Sequence, residues 1–239
     1  MIYPRIIAHR CGGALAPENT LAGLRLAARL GCCGVEFDAM LAADGVPVLM
    51  HDETLERTTT GAGRAAGVSS AQLACLDAGS HHHPAFAVEP VPTLDEALRL
   101  CAALGLWANV EIKPAAGQEA ETGQAVARHA ALATGKLLLS SFSAISLRAA
   151  ADAAVQLPRA MLFEAIPADW RERIMETGSR ALHAAAHTLT AEALQAVRDA
   201  GLPLACYTVN RREDAERLFA MGISAVFTDR PDLWASAEM

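Results

Sequence analysis

Short apolar segments alternate with amphipathic segments along most of the chain. The apolar segments are rich in β-favouring residues and are bounded by Gly, Pro and Asn, which is typical of strands. Most of them are followed by a segment with helical periodicity. Eight such units in 239 residues predict a parallel sheet closed into a TIM (β/α)8 barrel rather than a doubly wound sheet. The predicted strands cover residues 5–8, 34–40, 107–112, 137–141, 159–162, 181–185, 204–209 and 225–228.

Capping signals locate the helices between these strands. Asn19 or Thr20 can cap the first helix, which Gly31 ends. Thr93 and Glu96 have the spacing of a capping box, which predicts a helix that runs to residue 104. Further helices are predicted at 119–133, from about 143, after each later strand, and as a short segment after Pro231.

Residues 53–92 interrupt the alternation with many Gly and Pro residues. We therefore predict a single domain, 1–239, with an insertion at about 53–92 after the second strand, lying over the barrel mouth. His81, His82 and His83 lie within it. Short His-rich tracts can bind metal, but three consecutive side chains on an extended loop cannot all face one ion, so we interpret them as solvated surface. The interrupting residues are Gly61, Gly63, Gly67, Gly79, Pro84, Pro90 and Pro92.

Composition and charge narrow the possible partners. A hydrophobic share of 52% with 20% charged residues is typical of a globular protein with a sizeable core. The net charge of −7 argues against nucleic acid or an anionic membrane surface as a partner, since both need a basic footprint. No run reaches 18 apolar residues, and the apolar part of the first ten residues is too short for a signal peptide. We therefore expect a cytoplasmic protein without a stable membrane anchor.

Six cysteines are scattered through the predicted strands and helices without C-x-x-C spacing. We expect buried free thiols rather than disulfides or a zinc site. The cysteines are Cys11, Cys32, Cys33, Cys75, Cys101 and Cys206.

Glu36 and Asp38 lie two residues apart on the predicted second strand. Side chains alternate faces along a strand, so both carboxylates project to the same side. Such a pair is costly unless a cation neutralises it, and hard oxygen ligands suit Mg²⁺ or Ca²⁺ rather than Zn²⁺. An isolated E-x-D pair also fits the polar face of an edge strand. The metal interpretation therefore depends on the other candidate residues.

Further polar residues fall at the ends of predicted strands. His9 and Arg10 follow the first strand, His51 ends the extended segment that returns from the second, and Glu111 and Lys113 share a face of the third. Each alone has an ordinary explanation, as a satisfied histidine, a surface arginine or an ion pair at a sheet edge. The working residues of such barrels lie at the carboxyl ends of the strands, where these five would converge. Together they predict an acid–base pair, a divalent metal site and anion ligands.

Several short strings recur in a specific order along the chain. In order they read HRCGGALAPENT, VEFD, HDETLERTTTG, VPTLDEAL, VEIKP, LLSSF, YTVN and FTDRP. Taken together they resemble the glycerophosphodiester phosphodiesterase family from end to end, most closely its cytoplasmic bacterial branch. The resemblance implies a TIM barrel with a small insertion after the second strand. It also implies metal-dependent hydrolysis of glycerophosphodiesters, such as glycerophosphocholine and glycerophosphoethanolamine, to sn-glycerol 3-phosphate and an alcohol.

The resemblance also implies roles for nine residues. It implies two acid–base histidines, three carboxylates that ligate Mg²⁺ or Ca²⁺, two cations that hold the phosphate, and two aromatic rings beside the alcohol groups. It favours the first histidine as base and the glycerol hydroxyl, rather than water, as nucleophile. In the same order, the residues are His9 and His51; Glu36, Asp38 and Glu111; Arg10 and Lys113; and Phe142 and Tyr207.

One position departs from the family pattern. The family usually has Gly after HR, where this chain has Cys11. Either the position tolerates a side chain, or Cys11 reshapes the phosphate edge of the site. A nucleophilic role for Cys11 is not expected, because the family's chemistry does not require one. Glu18 and Asn19 match the family's PENT string, and we expect a local structural role for them, with Asn19 as a helix cap.

Two alternatives and the assembly state stay open. A phospholipase D-like activity on lysophospholipids or sphingolipids is possible for related barrels, although no apolar surface helix favours it. A non-catalytic phosphodiester-binding barrel is also compatible with the fold, but a binding module has no need for a paired acid and base. The expected partner is a small-molecule glycerophosphodiester. A homodimer is possible, although no heptad pattern indicates one.

Overall fold

The computed structural model describes residues 3–234, and nine strands lie within them. They are β1 Ile6–Ala8, β2 Gly34–Leu41, β3 Pro47–Leu49, β4 Trp107–Ile112, β5 Leu137–Ser141, β6 Arg159–Phe163, β7 Ala181–Ala185, β8 Leu204–Tyr207 and β9 Ala225–Thr228. The same residues contain eight α-helices: α1 Leu21–Arg29, α2 Ser70–Leu73, α3 Leu94–Leu104, α4 Glu119–Ala130, α5 Ala144–Ala153, α6 Trp170–Thr177, α7 Ala191–Asp199 and α8 Arg212–Ala220.

Eight parallel strands close into a barrel. β1 pairs in parallel with both β2 and β9, so Ile7 lies opposite Gly34 on one side and Phe227 on the other. β3 is the exception, because it pairs antiparallel with β2 and lies outside the ring. The predicted TIM barrel is therefore confirmed. Strand and helix ends differ from the predicted ones by at most three residues, and the bounds of β4, β5, β7 and β9 agree fully.

Alternation along the strands gives the barrel two apolar layers. Outward-facing residues such as Val35 and Val110 belong to the large core between the sheet and the helices. Inward-facing residues, among them Ile7, Trp107 and Phe227, form a second cluster inside the barrel. Burial of one such side chain contributes roughly 1.5–3 kcal/mol. The packed interior leaves the carboxyl ends of the strands as the place where polar side chains can meet.

Residues 53–92 are more ordered than a plain loop. They contain α2 and two 3-10 helices, Ala65–Gly67 and Pro84–Phe86. Leu55, Leu73 and Val91 from this segment pack with Met40 and Val48 of the β2–β3 hairpin in a separate buried cluster. The segment is thus held against the hairpin that carries His51 at its end.

Two local predictions are confirmed and one is wrong. The Thr93 hydroxyl and the Glu96 carboxylate form the predicted capping box of α3. The cap of α1 is Thr20, whose hydroxyl accepts a hydrogen bond from the Gly23 N–H. Asn19 is not the cap, because its backbone has a left-handed φ of 58° and its amide is used elsewhere.

The expectation of buried thiols holds for only half of the cysteines. Cys11, Cys101 and Cys206 are buried, whereas Cys33 and Cys75 are exposed. The prediction is wrong for the last two because Cys33 lies in the loop before β2 and Cys75 in the turn after α2, where the apolar pattern no longer indicates burial. Among the described residues, no helix is both long and apolar enough to cross a membrane.

Candidate active site

Three carboxylates meet at the carboxyl ends of β2 and β4. The strands pair in register with Asp38 opposite Glu111, and Glu36 lies two residues before Asp38 on the same face. One oxygen from each of the three lies within 4.8 Å of the others. Glu36 and Asp38 are almost fully buried, at 3% and 1% exposure. The strand period of two therefore produces a compact, largely buried group of three carboxylates, which we call the acidic group: Glu36, Asp38 and Glu111.

The acidic group is short of positive charge. Burial, reinforced by the charge of Asp38, raises the pKa of both Glu36 and Glu111 well above the usual range. Lys113 is the nearest cation, with its Nζ 3.1 Å from Glu111 and 3.7 Å from Asp38. Glu36 Oε1 is buried and has no hydrogen-bond partner among residues 3–234. An all-oxygen donor set with an unpaired buried oxygen fits a hard divalent cation.

His9 is held by a carboxylate from the other end of the chain. Its Nδ1 lies 2.7 Å from Asp229 Oδ1, and its Nε2 lies 3.9 Å from Glu36. Asn210 fixes Asp229, since its Nδ2 donates to Oδ2 at 2.9 Å and its Oδ1 accepts from the Asp229 N–H at 2.8 Å. Burial favours neutral His9, but the hydrogen bond to Asp229 and the charge of Glu36 outweigh it and raise the pKa of His9.

His51 follows β3 and is held by its own neighbour. Its Nδ1 lies 2.6 Å from Asp52 Oδ1, and Arg57 in turn donates to Asp52. Its Nε2 lies 2.9 Å from Lys113 Nζ. Burial lowers the pKa of His51, and the Lys113 charge lowers it further, against the opposite effects of Asp38 and Asp52.

Arg10 and Cys11 form a tight turn after β1. Both have left-handed backbones, with φ of 48° and 75°, and the Arg10 N–H donates to Glu36 Oε2 at 2.7 Å. Cys11 is fully buried against α1, where Gly23 leaves room for it because a Cβ there would lie 2.8 Å from the Cys11 Cβ. Burial holds the pKa of this thiol well above its usual range. The position thus accepts a side chain without bringing it into the site.

Asn19 orients the central carboxylate. Its Nδ2 donates to Asp38 Oδ2 at 2.9 Å, and its Oδ1 accepts from the Asp38 N–H at 3.0 Å. Glu18 accepts from Arg10 at 3.1 Å and also pairs with Arg57. The two residues of the PENT string therefore act on the site itself.

A cavity of about 280 Å³ opens at this end of the barrel. Phe142 and Tyr207 stand at its edge with rings perpendicular and 6.1 Å apart, and Tyr207 donates to the Phe163 carbonyl at 2.8 Å. All nine residues predicted for the site line this cavity, so the structure brings the whole set together. The other lining residues are Asn109, Leu162, His183, Thr208 and Phe227.

The sequence analysis did not predict the two residues that orient His9. Asp229 and Asn210 lie within the quoted strings FTDRP and YTVN, yet the contact with His9 depends on barrel closure. His81, His82 and His83 are exposed and outside the cavity. Within residues 3–234, these histidines belong to no group of ligands close enough to hold an ion. The three carboxylates Glu36, Asp38 and Glu111 do form such a group.

Comparisons with known proteins point to one family. The model of the glycerophosphoryl diester phosphodiesterase family matches residues 9–233. A glycerophosphodiester phosphodiesterase of Caldanaerobacter subterraneus subsp. tengcongensis is 31% identical over 95% of this chain and 94% of its own length.

Solved structures agree with this match. A phosphodiesterase of Oleispira antarctica, in complex with the product sn-glycerol-3-phosphate, superimposes with a TM-score of 0.94 at 36% identity, covering 98% of this chain and 96% of that one. A glycerophosphodiester phosphodiesterase of Agrobacterium tumefaciens gives a TM-score of 0.77 at 27% identity, covering 99% and 100%. From the order of its motifs, its fold and this match over nearly the whole length, the chain belongs to the glycerophosphoryl diester phosphodiesterase family.

Proposed function

We propose that the chain hydrolyses glycerophosphodiesters, such as glycerophosphocholine and glycerophosphoethanolamine, to sn-glycerol 3-phosphate and the free alcohol. The observation that carries the proposal is a buried group of three carboxylates flanked by two histidines, each paired with its own carboxylate. Membership of the family and the product bound to the Oleispira relative support the same reaction.

Glu36, Asp38 and Glu111 would hold one divalent cation, Mg²⁺ or Ca²⁺. Their oxygens suit either ion, and the unpaired Glu36 Oε1 gives a reason for a cation to bind. When bound, the cation would supply Lewis acidity to the phosphate group. Glu36 and Glu111, whose pKa burial raises, would be held ionised as its ligands.

Arg10 and Lys113 would hold the phosphate. Both cations are partly buried, with side-chain exposures of 23% and 25%, so their charges are weakly screened. Lys113 Nζ contacts His51 Nε2, and a phosphate bound to Lys113 would compete for that contact and free the Nε2 atom. Arg10, Lys113 and a bound cation would set the charge that an anionic substrate meets, and the net charge of −7 would not.

His9 and His51 would form the acid–base pair. The hydrogen bond to Asp229 keeps His9 Nδ1 protonated and leaves Nε2 as the basic atom. His9 takes the proton of the neighbouring glycerol hydroxyl as that oxygen bonds to phosphorus. The bond from phosphorus to the alcohol oxygen breaks, and that oxygen takes a proton from His51. This step needs neutral His9 and protonated His51, opposite to the pKa shifts of the substrate-free site. The charge of a phosphate on Lys113 would raise the pKa of His51, and a cation held by Glu36 would lower that of His9. Water then opens the cyclic phosphate, with His51 accepting its proton and His9 returning one to the glycerol oxygen.

The direct test is release of sn-glycerol 3-phosphate from glycerophosphocholine by the purified protein, with EDTA and with Mg²⁺ or Ca²⁺ added back. We expect EDTA to abolish turnover and one of the ions to restore it. Glu36→Gln should lose this response, whereas Glu213→Gln, an exposed acid on α8, should keep it. Turnover indifferent to EDTA would remove the cation from the mechanism. Faster turnover of lysophosphatidylcholine would instead favour the phospholipase D-like activity, and binding without turnover a binding barrel.

A further inference from the structure

Arg57 does not line the cavity of the site, yet it holds the partners of two residues that do. It lies in the insertion, and its side chain is 47% exposed. Its guanidinium donates to Asp52, the carboxylate that pairs with His51. It also donates to Glu18, the carboxylate that pairs with Arg10. One side chain therefore connects the acid–base part of the site with the part expected to bind phosphate.

Both contacts of Arg57 are forked, with two nitrogens bound to the two oxygens of one carboxylate. Nε and Nη2 donate to Asp52 Oδ2 and Oδ1 at 2.5 and 3.1 Å. Nη1 and Nη2 donate to Glu18 Oε2 and Oε1 at 2.7 and 2.8 Å. All three guanidinium nitrogens are used, so the two carboxylates are fixed relative to each other. A lysine has one nitrogen and cannot reproduce this geometry.

Each of the two carboxylates also binds a residue of the site. Asp52 Oδ1, which accepts from Arg57, lies 2.6 Å from His51 Nδ1. The hydrogen bonds from Arg57 hold the pKa of Asp52 well below its usual range, so the carboxylate that faces His51 is ionised. Glu18 Oε1 accepts from Arg57 at 2.8 Å and from Arg10 at 3.1 Å. The oxygens bound to Arg57 therefore also set the positions of the imidazole and of the second guanidinium.

The contacts of Arg57 differ from those of an ordinary surface ion pair. Exposed pairs usually contribute little, because water screens the charges and ordering two long side chains costs entropy. Here the two carboxylates are mostly buried, with side-chain exposures of 28% for Asp52 and 21% for Glu18, and the forked geometry restrains both. Loss of Arg57 should therefore change the geometry of the site more than the stability of the fold.

We propose that Arg57 is a positioning residue for both functions of the site. Through Asp52, it orients His51 for proton transfer. Through Glu18, it orients Arg10 toward the phosphate. The inference rests on the proposed function, which assigns those two roles. Removing Arg57 should weaken phosphate binding and slow turnover together, whereas removing one carboxylate leaves the other contact in place.

Double-mutant cycles in the intact protein test this with two measurements. These are kcat for glycerophosphocholine and the calorimetric Kd of sn-glycerol 3-phosphate, both at saturating cation. We expect Arg57→Ala to lower kcat about 10-fold and to raise Kd about 10-fold. In an Asp52→Ala background the same change should lower kcat less than about 2-fold further, because Arg57 no longer acts on His51. In a Glu18→Ala background it should raise Kd less than about 2-fold further.

Two further variants separate positioning from charge and from folding. Arg57→Lys keeps the charge but not the fork, so kcat and Kd should stay impaired. It carries the same expectations in both backgrounds, which keeps the test valid if Arg57→Ala fails to fold. Arg64→Ala is the matched control, because Arg64 lies in the same insertion and pairs with Glu53, which does not line the cavity. It should leave kcat and Kd unchanged.

The outcomes separate this inference from the proposed function. Unchanged kcat and Kd in Arg57→Ala, with turnover of the unmodified protein intact, would overturn the positioning role and leave the hydrolase standing. A loss that persists in full in both backgrounds would also overturn it, because a general loss of structure does not depend on the two carboxylates. Failure of the unmodified protein to turn over glycerophosphocholine and to bind sn-glycerol 3-phosphate would overturn both.

Discussion

Two histidines of the site have the same kind of partner but opposite electrostatics. His9 and His51 each place Nδ1 within 2.7 Å of an aspartate oxygen. The pKa of His9 is raised, and that of His51 is lowered. Burial lowers both, so the difference comes from the next neighbour. Glu36 faces the outer nitrogen of His9, whereas Lys113 faces that of His51. A carboxylate partner therefore fixes the orientation of a histidine, and the surrounding charges decide its protonation.

The two pairs also differ in how the chain assembles them. His9 and Asp229 are 220 positions apart and meet only because β1 and β9 close the barrel. His51 and Asp52 are adjacent, and their partner Arg57 lies in the same segment. The first pair thus depends on the whole fold and the second on one loop. A change that disturbs the pairing of β1 with β9 should therefore disrupt the contact between His9 and Asp229 more than the contact between His51 and Asp52.

The largest expected effect is loss of either histidine. His9→Ala and His51→Ala should each reduce kcat for glycerophosphocholine by roughly 10²- to 10⁴-fold, because each removes one proton-transfer group. The measurement is sn-glycerol 3-phosphate release at saturating cation. His129→Ala, a histidine paired with Asp95 outside the cavity, is the matched control and should retain activity. Retained activity in both site variants would remove the histidines from the mechanism.

Replacing the carboxylate partners should have the next largest effect and should separate the two pairs. Asp229→Asn should reduce kcat about 10²-fold or more, because an amide no longer fixes the His9 tautomer. Asp52→Asn should cost less, about 10-fold, since His51 is also held by Lys113. Kinetics of both variants at the same pH give the comparison. Equal losses would mean that closure of the barrel adds nothing to the His9 pair.

A third histidine, His183, is paired with a hydroxyl and shows how burial alone changes the pKa of a histidine. Within the part of the chain that the structure describes, the only hydrogen-bond partner of His183 is the Tyr3 hydroxyl, and burial lowers the pKa of His183 from 6.5 to about 3. Below pH 6.5 the unfolded chain binds a proton that the folded chain does not, so the free energy of unfolding falls as pH falls toward 3. The contribution is at most about 1.4 kcal/mol per pH unit. Urea unfolding at pH 7.5, 6 and 5 should show a shallower decline for His183→Phe. Parallel declines would contradict the neutral buried ring.

The smallest expected effect lies outside the site. Thr190 caps α7, and its hydroxyl accepts from the Ala193 N–H at 3.2 Å. Thr190→Ala should cost about 1 kcal/mol of stability and lower Tm by about 2–4 °C. Activity at 25 °C should not change. A loss of activity in this variant would mean that modest destabilisation alone can mimic the effects expected for Asp52 and Asp229.

The fold and the strand-borne site residues could be predicted because both depend on local pattern. Alternation of strand and helix gave the barrel, and a period of two placed Glu36 with Asp38, and Glu111 with Lys113, on shared faces. The antiparallel pairing of β3 also agrees with an extended return that ends in His51. Expectations of a cytoplasmic location and a possible homodimer stay predictions, which cell fractionation and light scattering can test.

Contacts made across the barrel could not be predicted in this way. Asp229 and Asn210 reach His9 only after closure, and no periodicity links positions so far apart. The preference of Asn for cap positions predicts Asn19 as the cap of α1, but Thr20 caps the helix and Asn19 donates to Asp38 instead. The tertiary hydrogen bonds of a buried carboxylate outweighed a local preference worth about 1 kcal/mol.

The assignment of His9 as base and His51 as acid has one direct test. The substrate is the glycerol phosphodiester of p-nitrophenol, whose leaving group departs without a proton. We expect His51→Ala to recover most of the rate of p-nitrophenolate release in a single turnover, within about 10-fold of the unmodified protein, because the later step in which His51 accepts a proton from water does not enter that release. His9→Ala should stay impaired by roughly 10²-fold or more. Recovery of His9→Ala with no recovery of His51→Ala would reverse the roles. Equal impairment of both variants would contradict the division into one acid and one base.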